Sequence, residues 1–311
     1  MAKVILTQLK TKNSTQEDLK KTIKKALEQL DFDFKKGINS IVIKPNLCYY
    51  WDYSTGETTD PRVVATIIDE LRNMIGKNVA ISVAEADASA MKTKYSFDVL
   101  GYREMCKEKE VNLVNLCEGE IINKTAKVGD KELNLPVNTI LLKADLVVNV
   151  PKLKTHNVMG FTCAMKNMFG AIAKPYKYSY HKVLAHAIVG INKEIKSDIV
   201  IVDGIVAKGR YPKKLGVIMT ANDVLANDFV AARIMSFNPQ RVKYLKLAAR
   251  EHVGEANKID IIEDNVKMSE VKAAFPCYSH FRHRLSWRLQ LKLLRLYGRI
   301  VKDVIPPVLE D

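Results

Sequence analysis

Short unbroken apolar runs alternate along this chain with longer stretches in which apolar residues recur at helical spacing. Unbroken runs mark strands buried on both faces, and the helical spacing marks amphipathic helices. The runs predict strands at 3–6, 40–43, 79–84, 112–116, 146–150, 199–202 and 217–220. The spaced stretches predict helices at 15–30, 61–74, 97–108, 161–172, 184–193 and 224–235, with hairpins near 119–135 and 209–216. Ser14 ahead of Glu17 reads as a cap for the first helix, Pro61 as a first-turn proline, and Asn222-Asp223 as the start of the last helix. Such alternation predicts an α/β fold: a mainly parallel sheet with helices on both faces. No linker or repeat divides residues 1–275, which read as a single domain, and a basic helical tail is expected over 276–311.

Four predicted strands run directly into polar clusters. These are Lys44-Pro45-Asn46, Glu85-Ala86-Asp87, Lys152-Leu153-Lys154-Thr155-His156 and Asp203-Gly204. In a parallel sheet such ends share one edge, where ligands bind in open α/β folds. Thr58-Thr59-Asp60-Pro61 adds a helix start whose amides could meet an anion. Farther on, Lys166 and Asn167 interrupt an otherwise apolar segment. The expected site is therefore a pocket for a small anionic ligand, phosphorylated or carboxylated. Lys44, Asn46, Thr59, Asp60, Lys152, Thr155, Asn167 and Asp203 are assigned to binding, and Lys154, His156 and Lys166 to catalysis. A lysine buried near like charge loses protons more easily and becomes a base or nucleophile. Glu85 and Asp87 are the candidate ligands for a divalent cation such as Mg2+. The competing reading makes those carboxylates, with Asp203, ion-pair partners of the lysines. The segment 174–182, KPYKYSYHK, is expected to be a mobile lid over the pocket.

Composition narrows the chemistry. Five cysteines among 311 residues form no CxxC pair, so neither a disulfide framework nor an iron–sulfur cluster is expected. Cys163, set among lysines, is the thiol expected to be acidified. GxxxxGK[ST], GxGxxG, HExxH and GxSxG are all absent, so no common nucleotide, zinc-protease or hydrolase signature is present. The net charge of +14 favours anionic partners, yet residues 280–302 hold seven Lys and Arg and no acid, half of that surplus. On a helical wheel Arg284, Arg288, Lys292, Arg295, Arg299 and Lys302 fall within an arc of about 80°. Apolar residues, with Trp287 and Tyr297, fill most of the rest. The tail over 281–302 could dock on the domain, on a second subunit or on an anionic membrane surface, with nucleic acid ranked lower. No run of about 18 apolar residues is present, and the N-terminus lacks a secretory signal pattern. The expected location is cytoplasmic, or peripheral at the inner membrane surface.

IKPNL (43–47), TTDPRVVATIIDEL (58–71), VAEAD (83–87), KADLVVNVPKLKTH (143–156), AMKNMFGAI (164–172) and DIVIVDGIVAKG (198–209) together resemble the bacterial and archaeal family known as domain of unknown function 362. The resemblance covers residues 40–255. Many members of that family are fused to a two-cluster ferredoxin module, which this chain's cysteine spacing does not provide. The domain is more distantly similar to the lactate racemase group, and no catalytic residue is carried over from either. The sequence leans toward an enzyme of undetermined reaction class. A non-catalytic binding or redox-accessory protein, and a membrane- or RNA-associated protein acting through its basic tail, remain the alternatives.

Overall fold

A computed structural model describes residues 1–10, 15–30, 32–34, 37–88, 91–156 and 160–277. Ser14 and the tail over 281–302 lie outside them. Among the described residues the strands are β1 (Ala2–Gln8), β2 (Ser40–Pro45), β3 (Ala80–Glu85), β4 (Asn112–Asn115), β5 (Ile121–Val128), β6 (Lys131–Asn138), β7 (Leu146–Val150), β8 (Lys152–His156), β9 (Gly160–Thr162), β10 (Ile199–Lys208), β11 (Pro212–Ala221) and β12 (Ile259–Glu263). The helices are α1 (Gln16–Glu28), α2 (Pro61–Ile75), α3 (Thr93–Val99), α4 (Tyr102–Glu108), α5 (Thr139–Lys143), α6 (Ala164–Met168), α7 (Leu184–Glu194), α8 (Val224–Ile234), α9 (Lys243–Arg250) and α10 (Met268–Ala274).

The main sheet runs β12-β1-β11-β10-β7-β2-β3-β4, and along that path only β11 opposes the rest. Alternate side chains of each strand enter two separate cores. Ile41, Ile43, Val83 and Val148 pack with α1, α2, α3 and α4 on one face, while Val42, Ala84, Val147 and Val200 pack with α6, α7, α8 and α9 on the other. Helices on both faces explain why the strands are apolar without interruption. The chain is thus an α/β protein with a mostly parallel central sheet.

The local signals mark the helix starts. Asp60 caps α2 ahead of Pro61, its carboxylate accepting from Arg62 N, and Asp223 caps α8 by accepting from Leu225 N and Ala226 N. At α1 the cap is Thr15, whose hydroxyl accepts from Asp18 N. The helix expected over 97–108 is two helices, because Gly101 takes φ +75° between them. The first hairpin is β5–β6, and β10 and β11 extend well beyond the runs predicted for them. The pattern did not reveal α9, α10 or β12, which follow the last predicted helix.

The largest departure is at 152–162. The expected loop is strand β8, and the expected helix start is strand β9. The reason lies in β10, which overruns the sheet edge by several residues. Its overhang presents an open hydrogen-bonding edge, and β8 fills it with Asp203 opposite Lys152 and Lys208 opposite Lys154. An unpaired strand edge is costly inside a protein, so the chain after Pro151 is drawn into the sheet. Gly204 makes the bend possible: a Cβ there would lie 2.8 Å from the Val217 carbonyl of the neighbouring strand. We therefore expect Gly204→Ala to destabilise the fold by about 1–3 kcal/mol, since the obstruction is backbone and cannot step aside. Urea denaturation measures this.

Candidate functional site

The strand ends deliver their polar residues to one edge, where they form an inner layer of buried ion pairs and a second layer rich in cations. Lys44, at the end of β2, has no exposed surface. Its Nζ lies 2.7 Å from Glu85 Oε1 at the end of β3 and also donates to the Pro45 carbonyl at 3.1 Å. Glu85 accepts further from Ala86 N at 3.0 Å and Leu47 N at 3.2 Å. Gly170 covers the pair, and a Cβ there would come within 3.0 Å of Lys44 Nζ and 3.1 Å of Glu85 Oε1.

Lys152 and Asp203 form a second buried pair, Nζ to Oδ2 at 2.7 Å. Asp203 also accepts from Asp60 N at 2.9 Å and Ile205 N at 3.0 Å. The Asp60 carboxylate holds the Arg62 guanidinium, Nη2 to Oδ2 at 2.6 Å. Thr59 links the layers: its hydroxyl donates to the Val150 carbonyl at 2.9 Å and accepts from Asn46 N at 3.0 Å. Tyr102 donates its hydroxyl to the Thr59 carbonyl at 2.9 Å, and burial pushes that phenol well above its ordinary range, with Asp60 and Asp203 adding to the effect. Thus Thr59, Asp60, Lys152 and Asp203, read from the sequence as ligand contacts, have their polar groups bound to other groups of the protein.

Glu85 and Asp87 do not converge. Asp87 Oδ1 turns to α3, accepting from Thr93 N at 2.8 Å and Thr93 Oγ1 at 2.6 Å. Among the described residues no group of three or more His, Cys, Asp or Glu side chains could hold a metal ion.

The second layer is rich in cations. Lys154 Nζ donates to the Glu57 carbonyl at 2.6 Å and to Glu57 Oε2 at 3.2 Å. The other Glu57 oxygen lies 3.7 Å from Lys208 Nζ. Thr155 Oγ1 reaches the Lys208 and Gly209 carbonyls at 3.4 and 3.5 Å. His156 closes β8 opposite Gly160, and burial, then Lys166, Lys154 and His181, holds its imidazole well below the usual range. It is a neutral ring at physiological pH.

Lys166 differs from the other lysines here. It projects from α6, half-buried, with no hydrogen bond or ion pair among the described residues. Its Nζ stands 5.2 Å from the centre of the Phe169 ring. Burial, followed by the charges of Lys154, Lys177 and Lys44, pushes its amine down to about 8, with Cys48 opposing. Beside it Asn167 donates to the Lys44 and Pro45 carbonyls at 3.2 and 3.3 Å and to Asn149 Oδ1 at 2.8 Å. The amide oxygens Asn167 Oδ1 and Asn46 Oδ1 are buried and receive no donor among the described residues.

Several contributors were missed by the sequence reading. Glu57 is the counter-charge of Lys154. Lys177 is buried, its amine donates to the Asp87 carbonyl, and burial pushes it down to about 8. That anchor, with Tyr180 Oη donating to the Asn134 carbonyl at 2.8 Å, fastens the segment expected to be a mobile lid. Asp228 in α8 orients α6 from below, accepting from Ala164 N at 2.8 Å and Met165 N at 3.1 Å. Its signal was a polar Asn227-Asp228 pair inside an apolar helix. Cys163 reverses its expectation: burial and the adjacent Asp228 raise its thiol well above the ordinary value, so it is inert.

Removing one member of a buried ion pair leaves the other charge without water or partner, which costs about 3–5 kcal/mol. We expect Lys44→Met and Glu85→Gln each to lose stability on that scale, and the double replacement to recover part of it. A double-mutant cycle by urea denaturation reads this directly, and additive losses would contradict it.

Residues 41–233 match the model of the family described as Domain of unknown function (DUF362). A curated relative, the Thylakoid-associated protein sll1697 of Synechocystis sp. (strain ATCC 27184 / PCC 6803 / Kazusa), is 26% identical over 264 residues, covering 77% of this chain and 79% of that protein. A solved structure, the lactate racemase apoprotein from Thermoanaerobacterium thermosaccharolyticum, is similar over 72% of this chain with a TM-score of 0.46 and 12% identity. This chain spans 56% of that one. The family match lies within the region expected from the sequence motifs and holds both buried ion pairs together with Lys154 and Lys166, so the chain belongs to the DUF362 family.

Proposed function

We propose that this chain is an enzyme-like protein that binds a small anionic ligand, phosphorylated or carboxylated, at the carboxyl edge of its sheet, with Lys166 meeting the anion. The observation that carries this reading is an imbalance. Lys44, Lys152 and Lys154 each face a carboxylate, whereas Lys166 has none and sits within the field of its neighbours. An uncompensated, half-buried ammonium is unfavourable in isolation and becomes favourable once a ligand supplies the missing negative charge. An amine poised near 8 is divided between two forms around neutral pH. It can hold an anion as ammonium, or accept a proton as free amine.

The pH dependence follows from the sign of the shift. Lys166 loses its proton as pH rises through about 8, so anion affinity falls across that range. The free fold responds oppositely: the depressed amine favours the native state increasingly from about 8 up to the ordinary value of 10.5. Titration calorimetry with inorganic phosphate, pyrophosphate and citrate tests the reading. Binding at pH 7 should be about tenfold weaker at pH 9 and lost in Lys166→Met. A Lys166→Met protein that binds all three probes like the parent would overturn it.

A second reading, peripheral attachment to an anionic membrane, is favoured by the relative named as thylakoid-associated and by the basic, apolar-sided sequence of 281–302. No helix among the described residues is long and apolar enough to cross a membrane.

A further inference from the structure

Among the described residues the exposed Tyr, Trp and Phe side chains are Tyr49, Trp51, Tyr176, Tyr178 and Tyr211. All five stand on connecting segments at the carboxyl edge, Tyr178 within a 3-10 helix over Lys177–Val183, and each segment is tied to the lysine cluster. Tyr49 lies in the field of Lys154 and Glu57. Trp51 follows Tyr50, whose hydroxyl accepts from Lys92 N at 3.2 Å. Tyr176 and Tyr178 flank the buried Lys177, and the Tyr178 ring lies 4.5 Å from that of His181, which in turn acts on His156. Tyr211 sits in the β10–β11 turn, one strand end away from Lys208 and its contact with Glu57.

The same loops are cationic. Residues 171–183 carry three lysines and residues 204–216 three lysines and an arginine, with no acid in either stretch. The chain also leaves the described region here, because Arg210 N donates to the Pro276 carbonyl at 2.9 Å beside Tyr211. The last described residues, Pro276 and Cys277, therefore lie at the rim of the site.

Tyrosine and tryptophan prefer the boundary between water and acyl chains, where an apolar ring and a polar tip are both accommodated, and lysines add attraction to anionic headgroups. We propose that this aromatic rim is the face that rests on an anionic lipid bilayer, so that the lysine cluster takes its anion from amphiphiles held in that bilayer. The inference rests on the anion-binding reading and names its substrate class: a negatively charged headgroup carrying an acyl or alkyl chain. An acidic surface complements this basic rim. A single-stranded nucleic acid fits less well, because it stacks on aromatic faces aligned along a groove. Here the rings come from three separate loops, and Tyr178 is already set against His181.

The chain holds two tryptophans, Trp51 and Trp287, which allows the rim and the tail to be read apart. In full-length Trp287→Phe, addition of phosphatidylcholine vesicles containing phosphatidylglycerol should shift Trp51 emission to the blue, and lipids brominated on the acyl chain should quench it. Pure phosphatidylcholine vesicles should do neither. Tyr211→Ser should weaken vesicle co-sedimentation several-fold. If Trp51 stays silent while Trp287 responds in the companion Trp51→Phe protein, the tail docks alone and the proposal falls. A Trp51 response to a single-stranded oligonucleotide but not to vesicles overturns it as well. The substrate class is tested below the micellar range. Dodecyl phosphate should bind about tenfold more tightly than inorganic phosphate and depend on Lys166, and equal affinities would contradict it. Docking that persists in Lys166→Met keeps the rim inference separate from the anion site, because Lys166 is not needed for the rings to insert.

Discussion

Two lysine–carboxylate pairs, each withdrawn from water at the point where parallel strands end, constrain everything around them. Taking such charges into a protein interior costs several kcal/mol per ion unless geometry and additional hydrogen bonds compensate. The surroundings supply that compensation. Glu85 receives two backbone amides besides Lys44, and Asp203 receives two besides Lys152. Gly170 leaves room beside the Lys44–Glu85 pair and Gly204 beside the β11 backbone, Thr59 joins the loop before α2 to β7, and Tyr102 joins that loop to α4. Asp203 on β10 meets Lys152 on β8 and the Asp60 amide at the start of α2, so one carboxylate ties these three elements together.

Once Glu85, Asp203 and Glu57 are committed, the local charge does not cancel. Lys166 and Lys177 remain, both shifted downward by burial, and the neutral His156 offers no counter-charge. Lys177 finds a carbonyl, whereas Lys166 stands over the Phe169 ring with no hydrogen bond or ion pair to its amine among the described residues. Its helix is held rigidly, because Asp228 receives the first amides of α6 and Asn167 is bonded to the ends of β2 and β7. A fixed, unbalanced ammonium is what makes this edge a binding site in the proposal. The paired lysines hold the frame in place.

Much of this was legible in the sequence. Apolar runs located the strands, and the shared direction of β2, β3, β7 and β10 follows from strand–helix alternation, so the convergence of Lys44, Glu85, Lys152 and Asp203 was readable before any coordinate. Which lysine would be left unpaired was not. That depends on Glu57 reaching Lys154, a contact between residues 97 positions apart with no periodic signature. Strand β8 was misread because KLKTH after a proline looks like a loop, and only the overhang of β10 makes it a strand. Asp228 was hidden inside a helix, where a carboxylate ordinarily signals solvent rather than the cap of another helix.

The central claim is that Lys166 carries a charge awaiting a partner. Observation of the lysine ε-carbons by NMR, with Lys166 assigned by substitution, tests it most directly. The account predicts that Lys166 titrates near 8 in the free protein and moves upward when inorganic phosphate is added, while Lys44 and Lys152 do not respond to phosphate. Titration of Lys166 at the ordinary lysine value, unmoved by phosphate, would contradict it.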